Sequence, residues 1–307
     1  METTTTSGGE SPLIARRRVR LALREAREAL GLTQSEVAEA MEWSLSKVIR
    51  IENGDVSISP NDLRPLMSHL SIKDRAVTEG LLRDAKASRT RKQLFWWQDP
   101  ALKDHLTENT QRLIAFEREA VAARYFAIYN VPGVLQTRSF AQAVLKQWQF
   151  GLSEEDVTTR LEVRMRRREE MLTRAKPIKL SVLLDESVVW RPYGGQAVLI
   201  EQLSELNRLI EAGSVDLRIV PFTVEAPLPT YGSYDILYLG DDGDDENAVV
   251  YRELDFFDEI VEDRARAAQY RARFDELWKA SMDEASTRGL IQRRLSDLTS
   301  GDEPLTP

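Results

Sequence analysis

Residues Leu32–Gly54 read LTQSEVAEAMEWSLSKVIRIENG, and this stretch decides how the N-terminal part of the chain folds. Apolar Leu32, Val37, Ala38 and Met41, then Val48 and Ile51, recur at helical spacings on either side of a break at Glu42-Trp43-Ser44. Thr33 followed three residues later by Glu36 is a capping box, so the first helix should start at Gln34. Ser44 can cap the second helix, and Asn53-Gly54 can end it, because glycine takes the left-handed conformation at little cost. Two short helices joined by a tight turn, the second about nine residues long, suit a recognition helix in the major groove of B-DNA.

Leu45, Ser46 and Arg50 fall on the outward face of the second helix, with Ser44 and Lys47 beside them. An arginine there can pair bidentately with guanine, a serine can donate or accept, and a leucine can meet a thymine methyl. Gln34 can reach a phosphate from the start of the first helix, and Lys47 suits a phosphate better than a base.

The pattern LTQ-x-E-x-A followed by S-x-SKV-x-RIENG resembles the helix-turn-helix of the XRE (Cro/CI-type) regulators over roughly residues 15–71. The resemblance implies binding to double-stranded DNA, with Leu45, Ser46 and Arg50 at the base-reading positions. Many family members carry a longer polar residue where this chain has Leu45. The resemblance also implies a structural ion pair between Arg27 and Glu52 that fixes helix orientation. A few helix-turn-helix domains bind proteins instead, but a motif this complete favours DNA.

At 307 residues the chain can hold two domains, and 42% hydrophobic with 30% charged residues suits a globular protein. The absence of cysteine excludes disulfides, thiolate chemistry and zinc-finger ligation, and fits a cytoplasmic location. The N-terminus, METTTTSGGESP, lacks the apolar core of a secretory signal. Charge is unevenly spread. Residues 11–94 carry 16 basic against 11 acidic side chains, whereas residues 95–307 carry 26 against 37. A basic head on an acidic body fits contact with a polyanion at one end.

The first domain is expected at 12–88, between a disordered tail at 1–11 and a basic linker, Arg89-Thr-Arg-Lys92. Its first helix should run from Leu13 to Leu30 with Val19, Leu23, Ala26 and Leu30 inward, and a fourth should open at Ser59-Pro60. A fifth follows from Lys73 to Ala87. The cluster Arg16-Arg17-Arg18 with Arg20 suits either phosphate contact or a solvated helix start.

The second domain, 95–290, reads as α+β with a small sheet and several helices. Helices are expected at Thr107–Tyr129, Ser139–Phe150, Glu154–Ala175, Gln196–Glu211 and Asp263–Met282, the last being the final long one. Strands are expected at Ile178–Leu184, Val215–Pro221, Tyr234–Leu239 and Ala248–Arg252, with a disordered tail at 299–307.

Four motifs of this half, VPGVLQT (131–137), GLSEEDV (151–157) with RMRRREE after it, LDESVVWRPYGG (184–195) and LRIVPF (217–222), fall in the order of one family. They resemble the uncharacterised domain that follows an XRE motif in many actinobacterial regulators, including WhiJ-like proteins. Several of those are antitoxin-like and encoded beside a small acidic partner protein.

Catalysis finds little support. The two histidines, His69 and His105, lie in different domains, and no nucleophile elbow, phosphate loop or dinucleotide fingerprint is present. Asp185 and Glu186 are adjacent on a strand end and should point to opposite faces. The acidic loop Asp241–Glu246 reads as a turn rather than a calcium loop, and turn chemistry accounts for Arg191–Gly195. No catalytic residue, metal or cofactor is therefore expected. The favoured function is a dimeric, sequence-specific DNA-binding regulator whose second domain dimerises or binds a small partner protein. The alternative is a ligand-sensing regulator whose second domain binds a metabolite or keeps a residual enzymatic activity.

Overall fold

The computed structural model describes residues 12–89, 95–147, 153–225, 232–239, 247–254 and 257–300. The tails at 1–11 and 301–307, most of the basic linker and the acidic loop 241–246 lie outside the described residues. The chain divides between residues 94 and 95 into two units, an all-α one and an α+β one.

The first unit has five helices: α1 (Pro12–Ala29), α2 (Gln34–Ala40), α3 (Leu45–Asn53), α4 (Pro60–His69) and α5 (Arg75–Ala87). Thr33, Ser44, Ser59 and Asp74 each cap a helix with a side-chain oxygen that accepts a backbone N–H of the first turn. The apolar stripes meet in one core built on Leu23, Val37, Val48, Ile51, Leu63 and Met67. Leu30 is not part of it and is 46% exposed. The helix ends one residue earlier, Gly31 (φ +68°) reverses the chain, and Leu32 packs on the core instead.

Half of the arginine cluster of α1 belongs to the interior, which corrects the expectation of a solvated helix start. Arg17 and Arg20 are buried, and Arg16 donates to the Gly54 and Ser88 carbonyls. Arg18 lies 3.8 Å from Asp84, whose carboxyl is nevertheless raised above the usual range by burial. Arg16 thus carries its charge to the C-terminal ends of α3 and α5.

The second unit contains α6 (Pro100–Lys103), α7 (Glu108–Glu119), β1 (Ala120–Ala127), α8 (Arg138–Gln147), α9 (Glu154–Thr173), β2 (Lys179–Asp185) and α10 (Ser187–Trp190). There follow α11 (Gln196–Glu211), β3 (Asp216–Val220), β4 (Tyr234–Leu239), β5 (Ala248–Glu253), β6 (Asp258–Val261), α12 (Arg264–Ala280) and α13 (Glu284–Ser300). The strands form one mixed sheet in the order β3-β2-β1-β4-β5-β6, with β1, β2 and β3 parallel and the remaining pairs antiparallel. One face, with Phe126, Ile236 and Val250, packs against Tyr270, Phe274 and Leu277 of α12.

Three sequence expectations change here. The helix expected over Thr107–Tyr129 stops at Glu119, and AVAARYFA becomes the central strand β1. Its alanines favour helix locally, but pairing on both edges and full burial of Ala123 outweigh that propensity. Arg174 fixes the switch by donating to the carbonyls of Glu117 and Ala120 at 2.9 and 2.8 Å. The short edge strand β6 was not anticipated.

Helix α13 was also missed, and it takes in Thr299 and Ser300 from the expected C-terminal tail. Its apolar periodicity is interrupted by Gly289 and by polar residues, yet Leu290 and Ile291 are buried. The connection before it covers the edge of β3. Met282 N–H donates to the Ile219 carbonyl at 2.9 Å, and Ile219 N–H donates to Thr287 Oγ1 at 3.2 Å.

Candidate nucleic-acid interface

Local sequence sets the geometry of α2 and α3. The Thr33 hydroxyl accepts from Glu36 N–H, and Glu36 returns the bond to Thr33 N–H at 2.7 Å. These bonds hold the exposed Glu36 carboxyl below the usual range. The turn passes through Glu42 at φ +56°, and Trp43 N–H donates to the Ala38 carbonyl at 2.8 Å. Ser44 Oγ then caps α3, and Gly54 ends it at φ +83°.

Val48 and Ile51 face the core, which turns Leu45, Ser46 and Arg50 outward, all three exposed. Leu45 is 44% exposed on this face. Among the described residues, Arg50 makes no ion pair or side-chain hydrogen bond, so its guanidinium is open to an incoming acceptor.

Lys47 and Gln34 are held internally. Lys47 Nζ lies 3.3 Å from Asp62 Oδ2 and 3.7 Å from the centre of the Trp43 ring. Gln34 Nε2 donates to Glu52 Oε2 at 2.8 Å. A phosphate contact by either side chain would exchange an existing bond. Asp62 and Trp43 were not singled out from sequence. Ser59-x-x-Asp62 does signal a helix start, and Asp62 N–H donates to Ser59 Oγ, but nothing in the spacing announces a lysine partner.

Beneath this face, Arg27 and Glu52 form a buried pair. Arg27 Nε donates to Glu52 Oε1 at 2.7 Å and Nη2 to Oε2 at 3.0 Å, while Nη1 donates to the Leu32 carbonyl at 2.8 Å. The bonds to Glu52 raise the guanidinium further above its ordinary value. With Gln34 added, one carboxylate ties α1, α2 and α3 together.

Asp185 Oδ1 accepts from Ser187 N–H, and Glu186 accepts from Trp190 Nε1 and Phe222 N–H. His69 is exposed on α4, and His105 Nδ1 lies 2.8 Å from Asp156 Oδ1. In Arg191–Gly195, both glycines have positive φ, as a tight turn requires. Among the described residues, no group of histidine and carboxylate side chains is arranged to hold a metal, and no helix is long and apolar enough to cross a membrane.

Residues 19–80 match the model of a helix-turn-helix domain, and residues 110–293, more than half of the chain, match the domain of unknown function DUF5753. The chain belongs to the DUF5753 family. It joins a helix-turn-helix head of the DNA-binding regulator type to a DUF5753 domain that includes the whole six-stranded sheet. No curated protein and no solved structure matches it.

Proposed function

We propose that this DUF5753 protein is a cytoplasmic, homodimeric, XRE-type (Cro/CI-like) transcriptional regulator that reads an operator with α3. The exposed, unpaired Arg50 between Leu45 and Ser46 carries this reading, because an uncommitted guanidinium on a groove-sized helix suits a guanine edge. One such head covers a half-site, so a dimer would recognise two half-sites about 34–36 Å apart. The test is selection of operator sequences from random DNA by the full chain, with light scattering of the complex. Enrichment of a paired, inverted site supports the reading. Retention of all sequences alike would overturn it.

For the DUF5753 domain we propose a non-catalytic control role of the antitoxin-like kind, in which it dimerises the heads and accepts a small acidic partner protein encoded nearby. The ordered motifs at 131–137, 184–195 and 217–222 support this role by resemblance. Co-expression with the neighbouring small protein, followed by a DNA-binding titration, tests it. A stoichiometric complex with altered operator affinity supports the role, and unchanged affinity argues against it.

A further inference from the structure

Arg16 of α1 and Arg89, the first residue of the basic linker, face one cleft of about 530 Å³ in the N-terminal unit. Asp55, Ser57 and Ser59 line it from the connection between α3 and α4, and Ser88 from the end of α5. The N–H groups of Asp55 and Val56 both donate to the Arg50 carbonyl, at 2.9 and 3.3 Å. The cleft therefore begins directly past the last turn of α3, the turn that carries Arg50.

Arg16 crosses from α1 to form one wall. Its Nη1 donates to the Gly54 carbonyl and its Nη2 to the Ser88 carbonyl, each at 3.4 Å, and Nε is buried without a hydrogen-bond partner. Bonds of that length are weak, and both acceptors are neutral. Among the described residues Arg16 enters no ion pair, so a half-buried guanidinium stands here without an anion, and the desolvation of its charge is not offset. Arg89 is exposed, and its side chain has no partner among the described residues.

Two carboxylates share the cleft with the arginines. Asp62 is matched by Lys47 Nζ at 3.3 Å, which leaves the two guanidiniums facing Asp55 alone. The balance is positive. Ser59 Oγ accepts from Asp62 N–H, so its own proton is free to donate. Two arginines and a free hydroxyl donor around an open cleft suit an oxyanion, and the planar guanidinium fork matches phosphate in particular.

We propose that this cleft grips one backbone phosphate of the DNA between Arg16 and Arg89, just beyond the bases that α3 reads. A phosphate of the duplex needs no closed pocket, because contacts to the backbone only position the DNA while α3 supplies the register. The clamp rests on the DNA-binding reading of α3 and adds to it an anchor that is independent of sequence.

The full chain is titrated with its selected operator and with a random duplex at several salt concentrations, and ethylation interference maps the phosphates it needs. Arg16→Gln and Arg89→Gln should each weaken both duplexes about tenfold, lower the salt slope by about one and erase interference at the same phosphate. Should Arg16→Gln melt early, Arg89→Gln, at an exposed position, carries the test. A parent chain that binds neither duplex would sink the reading of α3 and the clamp together. If the parent selects its operator but Arg89→Gln keeps the salt slope and the full interference pattern, the reading of α3 stands and the clamp is overturned. Saturable binding of inorganic phosphate that is lost in Arg89→Gln, with duplex binding unchanged, would assign the cleft to a free phosphate and overturn the DNA contact.

Discussion

Arg27 grips Glu52 through two hydrogen bonds, and Gln34 adds a third to the same buried carboxylate, so three helices converge on one side chain. Removing one member of a buried pair strands the other charge, which costs about 3–5 kcal/mol. Glu52→Ala should therefore lower the melting transition of the N-terminal unit steeply, followed by circular dichroism. The double variant Arg27→Met, Glu52→Leu should recover most of that loss, since no stranded charge remains. A double variant as unstable as the single one would contradict this account.

Arg50 and Lys47 should separate cleanly in DNA binding. Arg50→Ala should cost about 1–3 kcal/mol on the selected operator and relax one base position. Lys47→Ala should weaken all sequences alike and reduce the salt slope by about one. Because Asp62 holds Lys47 at 3.3 Å, Asp62→Asn should do the reverse and tighten binding to every sequence. Titrations at several salt concentrations, on operator and random duplexes, distinguish these outcomes.

Gly54 offers a test of helix orientation without touching the exposed face. Its φ of +83° disfavours any side chain, and a Cβ there would sit 2.9 Å from Arg20 Cδ and Nε. Gly54→Ala should destabilise the first unit by more than about 1 kcal/mol, measured by denaturant unfolding. Unchanged stability would mean that the end of α3 relaxes freely.

The half-buried Asp235 should leave a mark on the pH dependence of stability. Its carboxyl is raised well above the usual range when folded, so the folded protein binds the proton more tightly than the unfolded chain. Stability from this group is full below about pH 4, the ordinary carboxylate value, and falls as pH rises toward the folded value. Asp235→Asn removes that dependence. The variant should melt with the parent at low pH and above it at neutral pH. A constant gap at all pH values would refute the assignment.

Several features were legible in the sequence because they are local. Thr33 with Glu36, Ser44 with its turn, and Gly54 each act within a few residues, so the caps and the helix-turn-helix follow from spacing alone. Helix α11 and strands β2–β5 were legible for the same reason, since period and turn residues agree with the final structure. Leu45, Ser46 and Arg50 could be placed outward once the core positions were known.

Tertiary structure alone decided the rest. AVAARYFA carries no local instruction to become a strand, and it does so because β2 and β4 satisfy both its edges. The arginines of α1 read as surface charge, but α3 and α5 offer carbonyls that draw Arg16 inward. Asp62 meets Lys47 across a separation of 15 residues, and Asp235 meets Tyr125 and Tyr251 only through strand register. A sequence encodes contacts within a turn or two directly, whereas pairings between distant segments exist only once the chain has packed.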